Sequence, residues 1–164
     1  MILGVQQALE AALVGAAMTA NVAAVNAKYV AGGITITVPA VGNIYTYENE
    51  TTRWDNDQTA VFVIPQGSAL EPYQASGKIR ISHDLLLAFV LRDQSPATLA
   101  KRKLMIAEAA VPTINAVVRN GAERYNGYVE RIEYQPQFAE GPYRISDVTC
   151  RVVVNEFIPS ESVG

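Results

Sequence analysis

Residues 78–119 read KIRISHDLLLAFVLRDQSPATLAKRKLMIAEAAVPTINAVVR, and the change of period inside this stretch sets the architecture. Ile79, Ile81, His83, Leu85, Leu87, Phe89 and Leu91 take every second place, so as a strand they line one face. Beyond Arg92-Asp93-Gln94-Ser95-Pro96, residues Ala100, Leu104, Ala107, Val111, Ile114 and Val118 recur at helical spacing. Ser95 is placed to cap that helix and Pro96 to open it, because the first helical N–H has no partner within the helix. The stretch therefore predicts a strand that hands over to a helix lying back on it. A strand over 78–92 would be about 50 Å long, well above the usual length. A bulge, a bend or a projection beyond the main sheet is expected, and a projection would be able to pair with another subunit. Pro112 removes the bond to the Glu108 carbonyl, so the helix is expected to kink or divide there, and Asn120-Gly121 to end it.

Working outward, Val5, Leu9, Ala12, Leu13, Ala16, Ala20, Ala23 and Ala27 trace one face of an amino-terminal helix. Lys28 suits its carboxyl end and Gly32-Gly33 its stop. Ile34, Ile36 and Val38, alternating with Thr35 and Thr37, predict a short strand ended by Pro39, and residues 44–47 a second. Residues 48–58 turn polar around Trp54, which reads as a loop. Residues 58–64 read as a strand apolar on both faces, and residues 65–77, with Gly67, Pro72, Tyr73 and Gly77, as another loop. Near the end, residues 128–135 and 143–157 predict two antiparallel neighbours. The first carries Tyr128, Glu130, Ile132 and Tyr134 on one face, opposite Val129, Arg131 and Glu133. The second puts Val148, Cys150, Val152 and Val154 on one face. The fold class expected is α+β: a mixed, mainly antiparallel sheet flanked by an N-terminal helix and a second long helix. One domain over residues 1–158 is expected, with a short tail over 159–164.

Length and composition admit a real core, and they narrow the chemistry. With 164 residues, 49% hydrophobic, the chain can bury most of its extended surface. A net charge of -3 is a poor start for gripping phosphate backbones. The basic trio Lys101, Arg102 and Lys103 reads as a solvated helix face, with a nucleic-acid adaptor as the alternative. No Lys or Arg precedes Lys28, and Thr19, Asn21 and Asn26 interrupt the uncharged run 11–27, so neither a secretory leader nor a membrane span is expected. Glu48, Glu50, Asp55 and Asp57 lack the spacing of a calcium loop. Cys150 and His83 alone are too few for zinc, so no metal and no cofactor are expected. Cys150, in a Val-rich alternation, reads as a buried thiol. His83 reads as a packing residue, with Asp84 on the opposite strand face. A small hydrolase remains the enzyme alternative, and it requires His83 within about 3 Å of a carboxylate in a solvent-connected cleft. Tyr125, Tyr128, Tyr134 and Tyr143 read as packing or assembly residues rather than a base-stacking platform. No ordered catalytic set is present, and a structural protein is expected.

This order of elements resembles the tail terminator and head-to-tail joining proteins of long-tailed bacteriophages. The likeness is carried by the amino-terminal helix, the 34–38 strand leading to Pro39, the strand over residues 59–64, the 78–92 strand passing into the 96–120 helix, and the final pair 128–135 and 144–157. The resemblance implies a virion protein, present in the host cytoplasm during assembly, that forms a homohexameric ring. It would contact a tail tube protein and a neck or connector protein, with genomic DNA passing through the lumen without sequence-specific binding and with no membrane partner. Another tail or baseplate ring is the nearest alternative. Under this reading the contact segments are 48–57, 65–77 and 136–142. The candidate interface side chains are Trp54, Asp55 and Asp57 in the first, Tyr73 in the second, Phe138 in the third, and Arg80, Arg92 and Tyr134 on strands.

Overall fold

The computed structural model describes residues 2–45, 59–73, 78–119 and 125–159. Two helices, α1 (Ile2–Leu13) and α2 (Ala16–Ala31), precede the strands β1 (Val41–Tyr45), β2 (Thr59–Tyr73) and β3 (Lys78–Asp93). The long helix α3 (Pro96–Val118) then leads to β4 (Tyr125–Tyr134), β5 (Phe138–Glu140) and β6 (Tyr143–Pro159). Among the described residues the sheet runs β1-β2-β3-β6-β4, with β5 also on β6. Only β1 and β2 are parallel, and every other pairing is antiparallel. The class is the expected mixed, mainly antiparallel α+β fold. Residues 160–164 lie outside the described residues, and β6 reaches Pro159, opposite Lys78.

The β3 alternation does what its period dictates. Ile81, His83, Leu85, Leu87, Phe89 and Leu91 are all buried, and β6 sets Val154, Val152, Cys150 and Val148 directly across from His83, Leu85, Leu87 and Phe89. Leu99, Ile106, Ala110, Ile114 and Val118 of α3 close over this face, together with Val5, Leu9 and Leu13 of α1. A phenylalanine as enclosed as Phe89 contributes about 3–5 kcal/mol when compared with alanine. Close helix-to-strand approach is visible at Gly127. A Cβ added there would lie 2.5 Å from the Val153 carbonyl oxygen and 3.0 Å from Val118 Cβ. Ser95 caps α3 by accepting from the Thr98 N–H at 3.3 Å, with Pro96 opening the helix as predicted.

Several expectations are corrected. The amino-terminal helix is two helices meeting at Gly15 with a 48° bend. The break advances the phase, so α2 buries Met18, Val22 and Val25 and leaves Ala16, Ala20, Ala23 and Ala27 exposed. No single described helix is long and apolar enough to cross a membrane. Its end is as predicted: Gly33 has φ +86°, and the N–H groups of Gly33 and Ile34 bond to Val30 and Tyr29. Residues 34–40 form no strand. The Asn26 side chain accepts from the Val38 N–H at 2.9 Å and donates to the Val38 carbonyl at 3.0 Å, taking both groups a β neighbour would need. The strand expected over 44–47 begins three residues earlier, at Val41, and residues 46–47 lie outside the described residues. In α3 the helix continues through exposed Pro112 as one element, and its buried face is shifted: Leu99 and Lys103 point inward while Ala100 and Leu104 point out. In β4 a register shift between Val129 and Arg131 moves the faces, so Ile132 and Tyr134 share the helix side with Val129.

The largest correction concerns residues 65–73, expected as loop. β2 runs straight through them, paired with β3 as far as Tyr73 opposite Lys78, with one register shift between Pro65 and Gly67. β1 covers β2 only from Thr59 to Phe62, and β4 covers β6 only as far as Glu156. Beyond the helices, β2, β3 and β6 therefore run on as a three-stranded arm. Its β2 edge carries Pro65, the bulge at Gln66 and Pro72, features that blunt indiscriminate strand pairing.

Candidate functional site

The two faces of the sheet are chemically different. One carries the core. On the other, Phe62 and Ile64 of β2, Leu86, Ala88 and Val90 of β3 and Val153 of β6 form an apolar band, and the buried core helices pack on the opposite face. The band is a consequence of the two-sided apolar composition of β2 and β3. At its β4 side lies a small cleft of about 170 Å³ lined by Leu86, Arg131, Glu133, Gln135, Thr149 and Arg151. Arg131 stands opposite Arg151 across β4 and β6 and pairs with Glu133 at 2.9 Å. The charged rim therefore borders an apolar centre, the usual layout of a protein contact surface.

The expected interface residues are placed unevenly. Trp54, Asp55 and Asp57 lie outside the described residues. Tyr73 ends β2, opposite Lys78. Arg80 is on the arm, ion-paired with Glu71 on the neighbouring strand, and its guanidinium Nε is buried without a hydrogen bond. Arg92 is at the other end of β3, its guanidinium 4.4 Å from the centre of the Tyr143 ring. Phe138, 55% exposed, pairs with Ile145, which in turn faces Arg92. Arg80, Arg92 and Phe138 thus share the apolar band's face, but the two arginines are about 40 Å apart along β3. Tyr134, 48% exposed, projects to the helix side instead. They are two ends of one surface plus an outlier, not one site.

The basic trio of α3 is dispersed. Lys101 is exposed, and Arg102 donates to Asp93 at 2.7 Å and to the Thr37 carbonyl at 2.7 Å. Lys103 is buried and donates to the Gln135 carbonyl at 2.6 Å and to Ser146 Oγ at 3.1 Å. The tyrosines do not make a platform either: Tyr125 packs on the core, Tyr128 lies exposed on the opposite sheet face, and Tyr143 sits under Arg92. Cys150 is fully buried, and burial pushes its thiol up to about 12, out of the reactive range. Among the described residues no group of three His, Cys, Asp or Glu side chains is placed to hold a metal.

His83 is not merely packed. Its Nδ1 lies 2.7 Å from Ser68 Oγ and its Nε2 3.2 Å from Glu156 Oε2. The three residues come from β2, β3 and β6 at the foot of the arm. The imidazole is 2% exposed and the carboxylate 13%, whereas Ser68 is exposed. The carboxylate companion is thus present, but solvent reaches the group at the serine rather than at the ring. Ser68 fell in the expected loop and had no signal. Glu156 had one: extending the Val148, Cys150, Val152, Val154 alternation by one step puts it on the inward face. No family model and no curated protein matches the chain.

Proposed function

We propose that this chain is a structural subunit that closes into a ring, of the kind that terminates a phage tail tube or joins the tail to the head connector. The observation that carries the reading is the apolar band on the sheet face opposite the core helices, running into a three-stranded arm. The band's side chains are half-buried, Val153 more so, and apolar side chains kept partly accessible on a second sheet face suit an interaction site. The features at its two ends differ, with the Glu71–Arg80 pair on the arm and Arg92, Tyr143 and Phe138 at the far end. Contacts between unlike surfaces are heterologous, and where the rotation closes they give rings rather than two-fold dimers. Six copies, a tail tube protein below, a neck or connector protein above and DNA passing through the lumen are the arrangement that the element order suggests. A net charge of -3 per subunit suits a passage that does not hold the phosphate backbone. Sedimentation velocity with negative-stain imaging tests this. A closed ring whose mass is a multiple of 17.7 kDa is expected. A 17.7 kDa species at every concentration, alone and with the tube and connector proteins, defeats it.

A further inference from the structure

We infer that Ser68 is a base-activated nucleophile, held by His83 and oriented through Glu156, that accepts acyl groups from small, unhindered esters at the foot of the arm. The inference is independent of assembly. It begins with hydrogen-bond capacity. An ionised carboxylate only accepts, so Glu156 requires the proton on His83 Nε2, and the neutral ring then turns the lone pair of Nδ1 toward the Ser68 hydroxyl. The ring is reversed relative to the usual order, with Nδ1 on the serine side, but the roles are those of an acid-oriented base and its nucleophile. His83 is buried and the Glu156 side chain only 13% exposed, which limits competing water in the relay, while Ser68 stays accessible.

The backbone supplies one donor for the developing oxyanion, the N–H of Ser68. Proline in a sheet is tolerated where its nitrogen faces away from the partner strand. Pro72 therefore marks the outward parity of β2, and with no register shift between Gly67 and Tyr73, Ser68 and Leu70 share it. The Ser68 N–H therefore faces the outer edge, which no described strand covers beyond Phe62, while the Leu70 N–H, about 6.6 Å further along the strand, is too distant to share the same oxygen. Positions of this parity also bring opposed side chains closest, as the Ser68–His83 contact requires. Ser68 itself is exposed, so an acyl group can reach its Oγ on the His83 side of the sheet. Ser68 Oγ bonds to the carbonyl carbon as its proton passes to Nδ1, and the ester C–O bond breaks with that proton leaving on the alcohol. Water then repeats both transfers, releasing the acid and restoring Ser68. The shallow setting on an open strand edge restricts the substrate to small esters.

The test treats the full chain with a small alkyl fluorophosphonate, which loses fluoride on capture, and maps the adduct by peptide mass. A single adduct on Ser68 is expected, with none on Ser68→Ala. His83 is too enclosed to replace cleanly, so the positioning role is read from Glu156→Gln. This change removes the charge while keeping an acceptor, and it should slow labelling on the order of 100-fold with the far-UV spectrum unchanged. Glu156→Asp, which restores the charge, should recover part of the rate. A folded wild type that takes no adduct on Ser68, or Glu156→Gln labelling at the wild-type rate, overturns the inference.

Discussion

At the scale of single residues, Lys103 shows how a charged side chain can hold a core together. Its ammonium reaches the Gln135 carbonyl and Ser146 Oγ, and Ser146 also donates to Gln135 at 2.7 Å, so the connection after β4 is tied to α3. Lys103→Met keeps the stem and removes the charge, with Ser146 still serving the carbonyl. A loss of about 1–3 kcal/mol is expected, seen as a lower urea midpoint at unchanged slope. The loss should depend on pH through Asp147, whose carboxyl is raised by burial and lowered by Lys103. A raised folded pKa favours the fold while the group is protonated, and that advantage disappears as pH climbs through the folded value. Without Lys103 the shift grows, so the deficit should be largest at neutral pH and shrink below the usual aspartate range of about 4. Cys150 follows the same sign. Its thiol, held up to about 12, should be silent toward a disulfide reagent at pH 8 until urea unfolds the chain. Stability present below the ordinary thiol range should fall as pH rises toward that value. Rapid native labelling would show that the thiol is not enclosed.

At the scale of elements, exposed Pro112 is a stability reserve. It sits inside α3 without an N–H to offer the Glu108 carbonyl, while Lys28 and the Tyr29 hydroxyl bind the Glu108 carboxylate from α2. Pro112→Ala restores the backbone bond and should raise stability by about 1–3 kcal/mol; an unchanged or lower midpoint would mean the proline shapes the α1–α3 contact. Gly127→Ala should do the reverse, costing about 1–3 kcal/mol by forcing β4 off the Val153 carbonyl or α3 off β4. These elements also show what a sequence can carry. The β3–α3 unit was legible because its period changes at a capped turn, and the β4–β6 pair because β6 alternates cleanly. The arm was not, since Pro65, Gly67 and Pro72 mark a loop and a guarded edge strand alike. The α3 phase is masked in the sequence because Lys103 occupies an inward position while Leu104 points out. Residues 34–38 have strand composition, but Asn26, twelve residues before Val38, takes both backbone groups of Val38. The Ser68–His83–Glu156 group depends on register across three strands, which local pattern does not encode.

At the scale of the whole molecule, the apolar band is where assembly and folding can be separated. Leu86 lies at its centre, paired with Ile64 on one side and Arg151 on the other, and it lines the cleft that holds Arg131 and Arg151. Leu86→Glu places a carboxylate beside two guanidinium groups that stand opposite each other on neighbouring strands, an arrangement that is unfavourable before the change. The isolated subunit should therefore keep its far-UV spectrum and cooperative unfolding, because the new charge has partners and the buried face is untouched. A neighbouring copy pressed against the band meets a different situation. It would have to bury a charge in an apolar contact, and the penalty is several kcal/mol per ion even after relaxation. Sedimentation should then show the wild type as a ring and Leu86→Glu as a folded 17.7 kDa subunit. A variant that still forms rings would place the contact elsewhere and leave the band as an exposed face of the assembled particle. A variant that fails to fold would show instead that this second face is part of the core, with the sheet stabilised from both sides within a single chain.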